Sequence, residues 1–205
     1  LTQARNPSIV LIVHEGWLAE EFEALSVPFR DRGARADEYL RLFKECWTSP
    51  APRFEGAFTR VADVSMNPRP LQSPHPPIWI GGEGPRVLRR VADLGDGWTP
   101  MALRPPGANE PAGLAAAVRQ LHGLLAERGR DPDSVTIAVK LPIRFGAAAA
   151  PRALMTGDPE QIAGDLRRYR DVGVRHFALD FLATDPAEMH ETLERFARDV
   201  RPLVG

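Results

Sequence analysis

Five alternations of a short apolar run with an amphipathic helical pattern predict an α/β protein built from βα units on a parallel sheet. Two kinds of punctuation support that class. Proline stands at the start of helical patterns, at Pro85, Pro159 and Pro186, where its missing N–H costs nothing. Glycine stands at their ends, at Gly95, Gly129 and Gly173. Right-handed crossovers allow such units to close into a barrel or to spread into a doubly wound open sheet, and periodicity admits both. An eight-unit barrel takes roughly 250 residues. This chain has 205 residues and shows the pattern five times.

Ser8–Val13 is a continuous apolar, β-branched run, which predicts a strand buried on both faces. His14–Trp17 follows as a loop. A helix begins near Leu18, turns Phe22 and Leu25 inward and stops at Pro28. Asp37–Trp47 predicts a second helix, with Tyr39, Leu40, Phe43 and Trp47 near helical spacing. Short alternating pieces around Gly56, within Arg53–Met66, suggest a small hairpin. The proline-rich stretch 67–77 is extended, because no helix survives there.

Ile78–Ile80 is the next strand, followed by Gly81-Gly82-Glu83-Gly84. The helix opened by Pro85 buries Val87, Leu88, Val91 and Leu94. Gly97–Pro100 is a short strand end. A loop through Pro105, Pro106 and Pro111 leads to a helix with Leu114, Val118, Leu121 and Leu125 on one side. Val135–Phe145 reads as one strand, followed by an alanine-rich loop from Gly146. Asp158 caps a helix that buries Ile162, Leu166 and Tyr169. His176–Phe181 is a strand. Asp185 and Glu188 form a capping-box pattern ahead of a last helix that buries Met189, Leu193, Phe196 and Val200.

Composition narrows the function classes. Twenty-six basic residues against 27 acidic ones leave a formal charge of −1, so nothing electrostatic draws the chain to nucleic acid or an anionic membrane. Ile9–Val13, the longest apolar run, is too short to span a bilayer. No secretory signal pattern is visible. The lone Cys46 forms no internal disulfide and fits the reducing cytoplasm. The five histidines show no metal-binding spacing, and neither the G-x-S-x-G elbow nor the G-x-G-x-x-G fingerprint occurs.

Several residues carry candidate chemistry. Gly81, Gly82, Glu83 and Gly84 join a strand to a helix, where free N–H groups and the helix dipole favour an anion. A tight turn that needs glycine torsions is the plainer reading. Asp96-Gly97-Trp98-Thr99 is expected at the C-terminal end of a strand, with Trp98 either lining a pocket or packed in the core. His14 is a candidate acid/base, since its side chain titrates near neutrality, or simply a polar strand end. Lys140 and Arg144, evenly spaced on one strand, face one side. Asp180 within an apolar strand suggests an ion pair. Arg89-Arg90 and Arg167-Arg168 read as solvated helix faces, and Cys46 as core-facing.

Three stretches carry a family resemblance. One runs from Gly16-Trp17 through Leu25, with Arg32-Gly33 and Asp37-Glu38 after it. Another is Pro76 to Gly82, with Leu88 to Ala92 and Gly95-Asp96-Gly97-Trp98. The last is Gly157 to Ile162 with Gly173 to Phe177. Together they resemble the luciferase-like monooxygenase family, and within it the branch that uses the deazaflavin F420. The resemblance implies a (β/α)8 TIM barrel, here a partial barrel containing strands four to eight. The chain, 1–205, then reads as one such domain without its first three βα units.

The same resemblance implies an oxidoreductase that transfers hydride between F420, or alternatively FMN, and a small organic substrate. Gly81–Gly84 would hold the cofactor phosphate, with Trp98 beside it; His14, Trp17 and Thr99 would border the substrate pocket. No catalytic residue is assigned. The family has glycines where this chain has Ile12 and His14. That departure, with the first three strands not represented, implies weak cofactor binding. It also keeps open a truncated non-catalytic paralogue or a structural partner subunit. A homodimer or a complementary N-terminal half is the expected protein partner.

Overall fold

The computed structural model describes residues 9–100, 110–146 and 153–205. Ser8, the loop through Pro105 and Pro106, and the alanine-rich stretch after Gly146 lie outside the described residues. The chain forms two compact units, one from the residues up to Trp98 with Leu124–Val135, the other from Thr99–Gly123 with Thr136–Gly205.

The first unit runs β1 (Leu11–Val13), α1 (Ala19–Ala24), a 3-10 turn (Phe29–Asp31), α2 (Arg32–Thr48), β2 (Phe54–Glu55), β3 (Arg60–Val61), β4 (Ile78–Gly81), α3 (Pro85–Leu94) and β5 (Gly97–Thr99), with Thr99 opening the second unit. β4 lies between β1 and β5 and is buried along its whole length. β1 pairs with it in parallel, Leu11 beside Ile78 and Val13 beside Ile80. The expectation that β1 is buried on both faces is corrected. Among the described residues it pairs with β4 alone, and Ile12, on the opposite face from Leu11 and Val13, is 50% exposed. Leu25 is also exposed, because α1 ends one residue before it. α2 starts at Arg32, five residues ahead of the expected Asp37. The preceding 3-10 turn supplies its entry, and the Arg32 guanidinium lies 3.9 Å over the Phe29 ring.

The hairpin expected around Gly56 forms as the antiparallel pair β2–β3. It is tied to α2 by Glu38, a buried carboxylate whose two oxygens accept from the Phe58 N–H at 3.0 Å. A Cβ at Gly56 would stand 2.2 Å from the Glu38 carboxyl carbon, so the approach requires glycine. Cys46 is half-buried.

α3 has ten residues, too few to hold as an isolated helix in water. Val87, Leu88 and Val91 are buried on its inner face, each contributing about 1.5–3 kcal/mol. Arg130 closes its far end, donating to the carbonyls of Ala92 and Gly95 at 2.9 Å. The expected solvated face holds for Arg89 but fails for Arg90, which is 7% exposed. The Arg90 guanidinium pairs with Glu15, just after β1, and with Asp37 on α2, and donates to the Gly33 carbonyl at 3.1 Å. A Cβ at Gly33 would press on the guanidinium at 3.3 Å. Three oxygens from two segments thus converge on one cation, which compensates its loss of water.

The second unit contains α4 (Pro111–Glu127), whose last turn belongs to the first, β6 (Thr136–Pro142), β7 (Arg144–Phe145), β8 (Thr156–Gly157), α5 (Pro159–Asp171), β9 (His176–Asp180), α6 (Pro186–Arg195) and α7 (Arg201–Val204). α4 buries Leu114, Val118, Leu121 and Leu125 as its spacing predicts. β6 pairs in parallel with β9. The single strand expected over Val135–Phe145 is broken after Pro142, which has no N–H for a ladder. Lys140 and Arg144 therefore sit on different strands. Lys140 pairs with Asp180 at 3.6 Å, as an exposed rather than a buried ion pair.

α5 begins with a capping box: the Gln161 N–H donates to Asp158 at 2.8 Å, and the Asp158 N–H donates to the Gln161 side chain at 3.0 Å. Asp165 on this helix is buried and accepts from the Met155 N–H at 2.8 Å. Burial, with the Asp165 carboxylate nearby, pushes the Tyr169 hydroxyl up to about 12. Asp185 caps α6 as expected, but Glu188 returns to Thr184 instead of completing the box. A π-helical turn at Phe196–Val200 shifts the helical phase. Val200 is buried there, whereas Leu193, expected inside, is 46% exposed. No helix among the described residues is long and apolar enough to cross a membrane.

Arg90 yields a stability prediction. Arg90→Ala leaves the partly exposed Glu15 and Asp37 carboxylates without their partner and should cost about 1.5–3 kcal/mol in urea unfolding. A loss under 1 kcal/mol would show that the buried cation does not organise this unit.

Candidate functional site

β4 ends at Gly81, and Gly82, Glu83 and Gly84 carry the chain into α3. Gly82 has φ +117 and Gly84 φ +89, a region open to glycine and strained for other residues. No side chain caps the start of α3. The N–H groups of Glu83 and Gly84 find no backbone acceptor among the described residues. A Cβ added at Gly84 would meet nothing within 4 Å, so this side of the loop is open. Exposed donors, a helix N-terminus and room for close approach are features that favour an anion.

Trp98 holds that loop by its carbonyl side. Its ring is 1% exposed and its indole N–H donates to the Gly82 carbonyl at 3.0 Å. It is a core residue that positions the loop. Asp96 is at the other end of the strand from the one expected. It precedes β5, accepts from the Ile78 N–H at 2.9 Å and donates its own N–H to the Ile78 carbonyl at 2.7 Å. Asp96 thus ties together the N-terminal ends of β4 and β5. The close approach there also needs Gly97, since a Cβ at that position would lie 2.3 Å from the Trp79 ring.

His14 follows β1 and reaches the loop. Val13 is in register with Ile80, which places His14 beside Gly81. A Cβ on Gly81 would lie 1.8 Å from His14 Cε1, so the imidazole occupies the space over that glycine. Partial burial lowers the His14 pKa below its ordinary value and keeps the ring neutral at pH 7. Ile12 is on the same face of β1 as His14. Trp17, after β1, is 83% exposed. Thr99 closes β5 on the face it shares with Gly97. No group of acidic, histidine or cysteine side chains suited to a metal occurs among the described residues.

The structure adds residues that the sequence reading passed over. Glu15, Gly33, Asp37 and Arg90 form one network that packs α3 against α2 and the end of β1. Its members are up to 75 positions apart, so no local period reveals them. The pairing of Arg32-Gly33 with Asp37-Glu38 within one family-like stretch was the available signal.

Comparison with known proteins bears on the family and the fold. The model of a family described as luciferase-like monooxygenase matches residues 8–152. An FMNH2-dependent dimethylsulfone monooxygenase of Pseudomonas putida is 37% identical over 101 residues, covering 48% of this chain and 28% of that protein. An F420-dependent glucose-6-phosphate dehydrogenase of Intrasporangium calvum is 23% identical over 211 residues, covering 85% of this chain and 62% of that protein. The chain therefore matches less than two thirds of the length of either relative. A monooxygenase from Streptomyces bottropensis shares the fold, with a TM-score of 0.78 at 18% identity over 95% of this chain and 68% of that one. The fold class is that of the (β/α)8 barrels, with β1, β4, β5, β6 and β9 as strands four to eight. By its match over more than half its length, the chain belongs to the luciferase-like monooxygenase family.

Proposed function

We propose that the chain binds the phosphate of F420, with FMN as the alternative, and serves an oxidoreductase that transfers hydride between the cofactor and a small organic substrate. The glycine loop carries this reading. Residues Gly81–Gly84 fit a phosphate: two positive-φ glycines, uncapped N–H donors at a helix start and an open side at Gly84. Relatives named for either F420 or FMNH2 support the cofactor class. When bound, the cofactor supplies the hydride chemistry.

The protein's own part is positional. Trp98 fixes the carbonyl side of the loop, which leaves the N–H side to the anion. His14, neutral and next to Gly81, offers a ring nitrogen that can hold or release a proton. One observation favours a second reading, a non-catalytic partner subunit. The Ile12 and His14 side chains stand where the family has glycines, and His14 fills the space over Gly81.

Fluorescence titration with F420 and FMN tests the loop. Gly82→Asp should weaken binding at least about tenfold relative to Gly82→Asn, a difference of about 1.4 kcal/mol. Both variants strain the backbone at φ +117, and only the aspartate repels the phosphate. Equal affinities for the two would remove the loop from the site.

His14 and Gly81 form a coupled pair. Gly81→Ala should cost about 1–3 kcal/mol by overpacking, and the cost should largely vanish when His14 is also glycine. Additive effects in urea unfolding would overturn the contact. Because the folded state lowers the His14 pKa, the unfolded chain takes up the proton first as pH falls. The wild type should therefore lose stability relative to His14→Gly as pH drops from 7 to 5.

A further inference from the structure

A cavity of about 270 Å³ lies on the α2 side of β1, and none of Gly81–Gly84 lines it. Its walls are apolar. Val13 comes from β1, Phe22 from α1, and Ala36, Leu40 and Phe43 from α2, with Tyr39 beside them. Ala36, Leu40 and Phe43 recur at helical spacing, so α2 turns one apolar face to the cavity. The volume falls just below the roughly 300–1,000 Å³ of pockets for drug-sized ligands. It suits a small molecule rather than a chain segment.

The charges around this cavity do not balance. Its one carboxylate, Glu15, is committed to Arg90. Arg32 and Arg35 bring two guanidiniums, and neither has an ion-pair partner among the described residues. Arg32 donates to the Phe29 carbonyl at 3.1 Å. Arg35 has no acceptor at all among the described residues. Its guanidinium lies 4.3 Å over the Phe58 ring, and its Nε is buried without a hydrogen-bond partner. Its Nη groups, equally without an acceptor, are open to a ligand. Glu38, one turn along α2, gives both its oxygens to the Phe58 N–H instead. His14 also borders the cavity and, kept neutral by partial burial, offsets neither charge. Buried donors are nearly always satisfied, so an orphaned guanidinium at an apolar cavity calls for an anion.

We propose that this cavity binds a small carboxylate with an aromatic body. The carboxylate accepts end-on from the two Nη groups of Arg35, the bidentate match that a guanidinium offers. The ring packs among Phe22, Tyr39 and Phe43, which favour edge and offset contacts with another ring. Phosphate carries the charge but brings nothing to the apolar walls, and an uncharged aromatic leaves Arg35 unmatched. The proposal is independent of the glycine loop and of the cofactor proposed for it.

Isothermal titration calorimetry of the whole chain at pH 7 with benzoate, benzamide and inorganic phosphate tests it. Benzoate should bind at least about tenfold more tightly than benzamide, its uncharged counterpart. Arg35→Gln should lower benzoate to the affinity of benzamide. Ala36→Leu fills the cavity from α2 and should abolish binding of both aromatics. Phosphate should not displace benzoate. Arg35→Gln leaves the apolar walls intact, so it carries the test even if Ala36→Leu does not fold. No saturable binding of benzoate up to about 10 mM would overturn the proposal, as would equal affinity for benzoate and benzamide or an undiminished preference in Arg35→Gln. Displacement by phosphate, or full benzoate binding by folded Ala36→Leu, would put the site elsewhere and overturn it as well.

Discussion

A buried guanidinium constrains the first unit more than any single apolar contact. Arg90 gives up its hydration in exchange for two carboxylates and a carbonyl, from Glu15, Asp37 and Gly33. Removing an ion of this size from water costs several kcal/mol, recovered only where geometry and hydrogen bonds are complete. Completeness here depends on position. Gly33 must lack a side chain, α2 must begin early enough to present Asp37, and the chain after β1 must deliver Glu15. An aliphatic residue at position 90 would let α3 slide on its apolar face. The fork of an arginine fixes it along and around its axis, which a point-charged lysine does not.

The glycine loop inherits that precision because it is the N-terminal extension of α3. Arg90 sets the helix from one side. Arg130 holds the far end of α3, and Trp98 holds the Gly82 carbonyl. Asp96 fixes the opposite end of β4. Both elements that flank the loop are thus anchored before any ligand arrives, and the two glycines absorb the torsions that the turn demands. An anion bound there meets donors already aimed, so little ordering entropy opposes binding. The side chains that build the cradle are mostly not the ones that would touch its occupant.

Much of the scaffold was legible in the sequence, and the reasons are local. Pro85, Pro159 and Pro186 open helices, and Asp158 and Asp185 cap two of them, because these effects act within one turn. The faces of α4 and α5 followed from their apolar spacing. Misreadings arose where a distant partner or a change of helical phase decided the outcome. Arg90 looked solvated beside Arg89, since only Glu15 and Asp37 distinguish the two. Ile12 looked buried because a run of apolar residues cannot report that its strand has one paired neighbour. Leu193 followed a helical period that the π turn interrupts. The glycine loop was legible as an anion cradle or a tight turn, and its torsions fit both. Trp98 was not resolved between core and pocket until its indole N–H found Gly82.

Departures from local rules cluster at one end of β1 and β4. His14 crowds Gly81, Gly82 and Gly84 hold positive φ, and Arg86 opposes its helix dipole. At the other end of the same sheet Gly97 likewise makes room for Trp79, but there Asp96 satisfies the Ile78 N–H. The difference between the two ends is that the N–H groups at the start of α3 have no side-chain cap. Natural sequences keep locally unfavourable choices where a binding task demands them. Uncapped N–H donors and an arginine in the first turn raise the positive potential, against the exposed carboxylate of Glu83 in the loop. An anion would satisfy the uncapped N–H donors, whereas a tight turn accounts only for the glycine torsions. Those unsatisfied donors are the physical ground for the proposal of a phosphate at this end of the sheet.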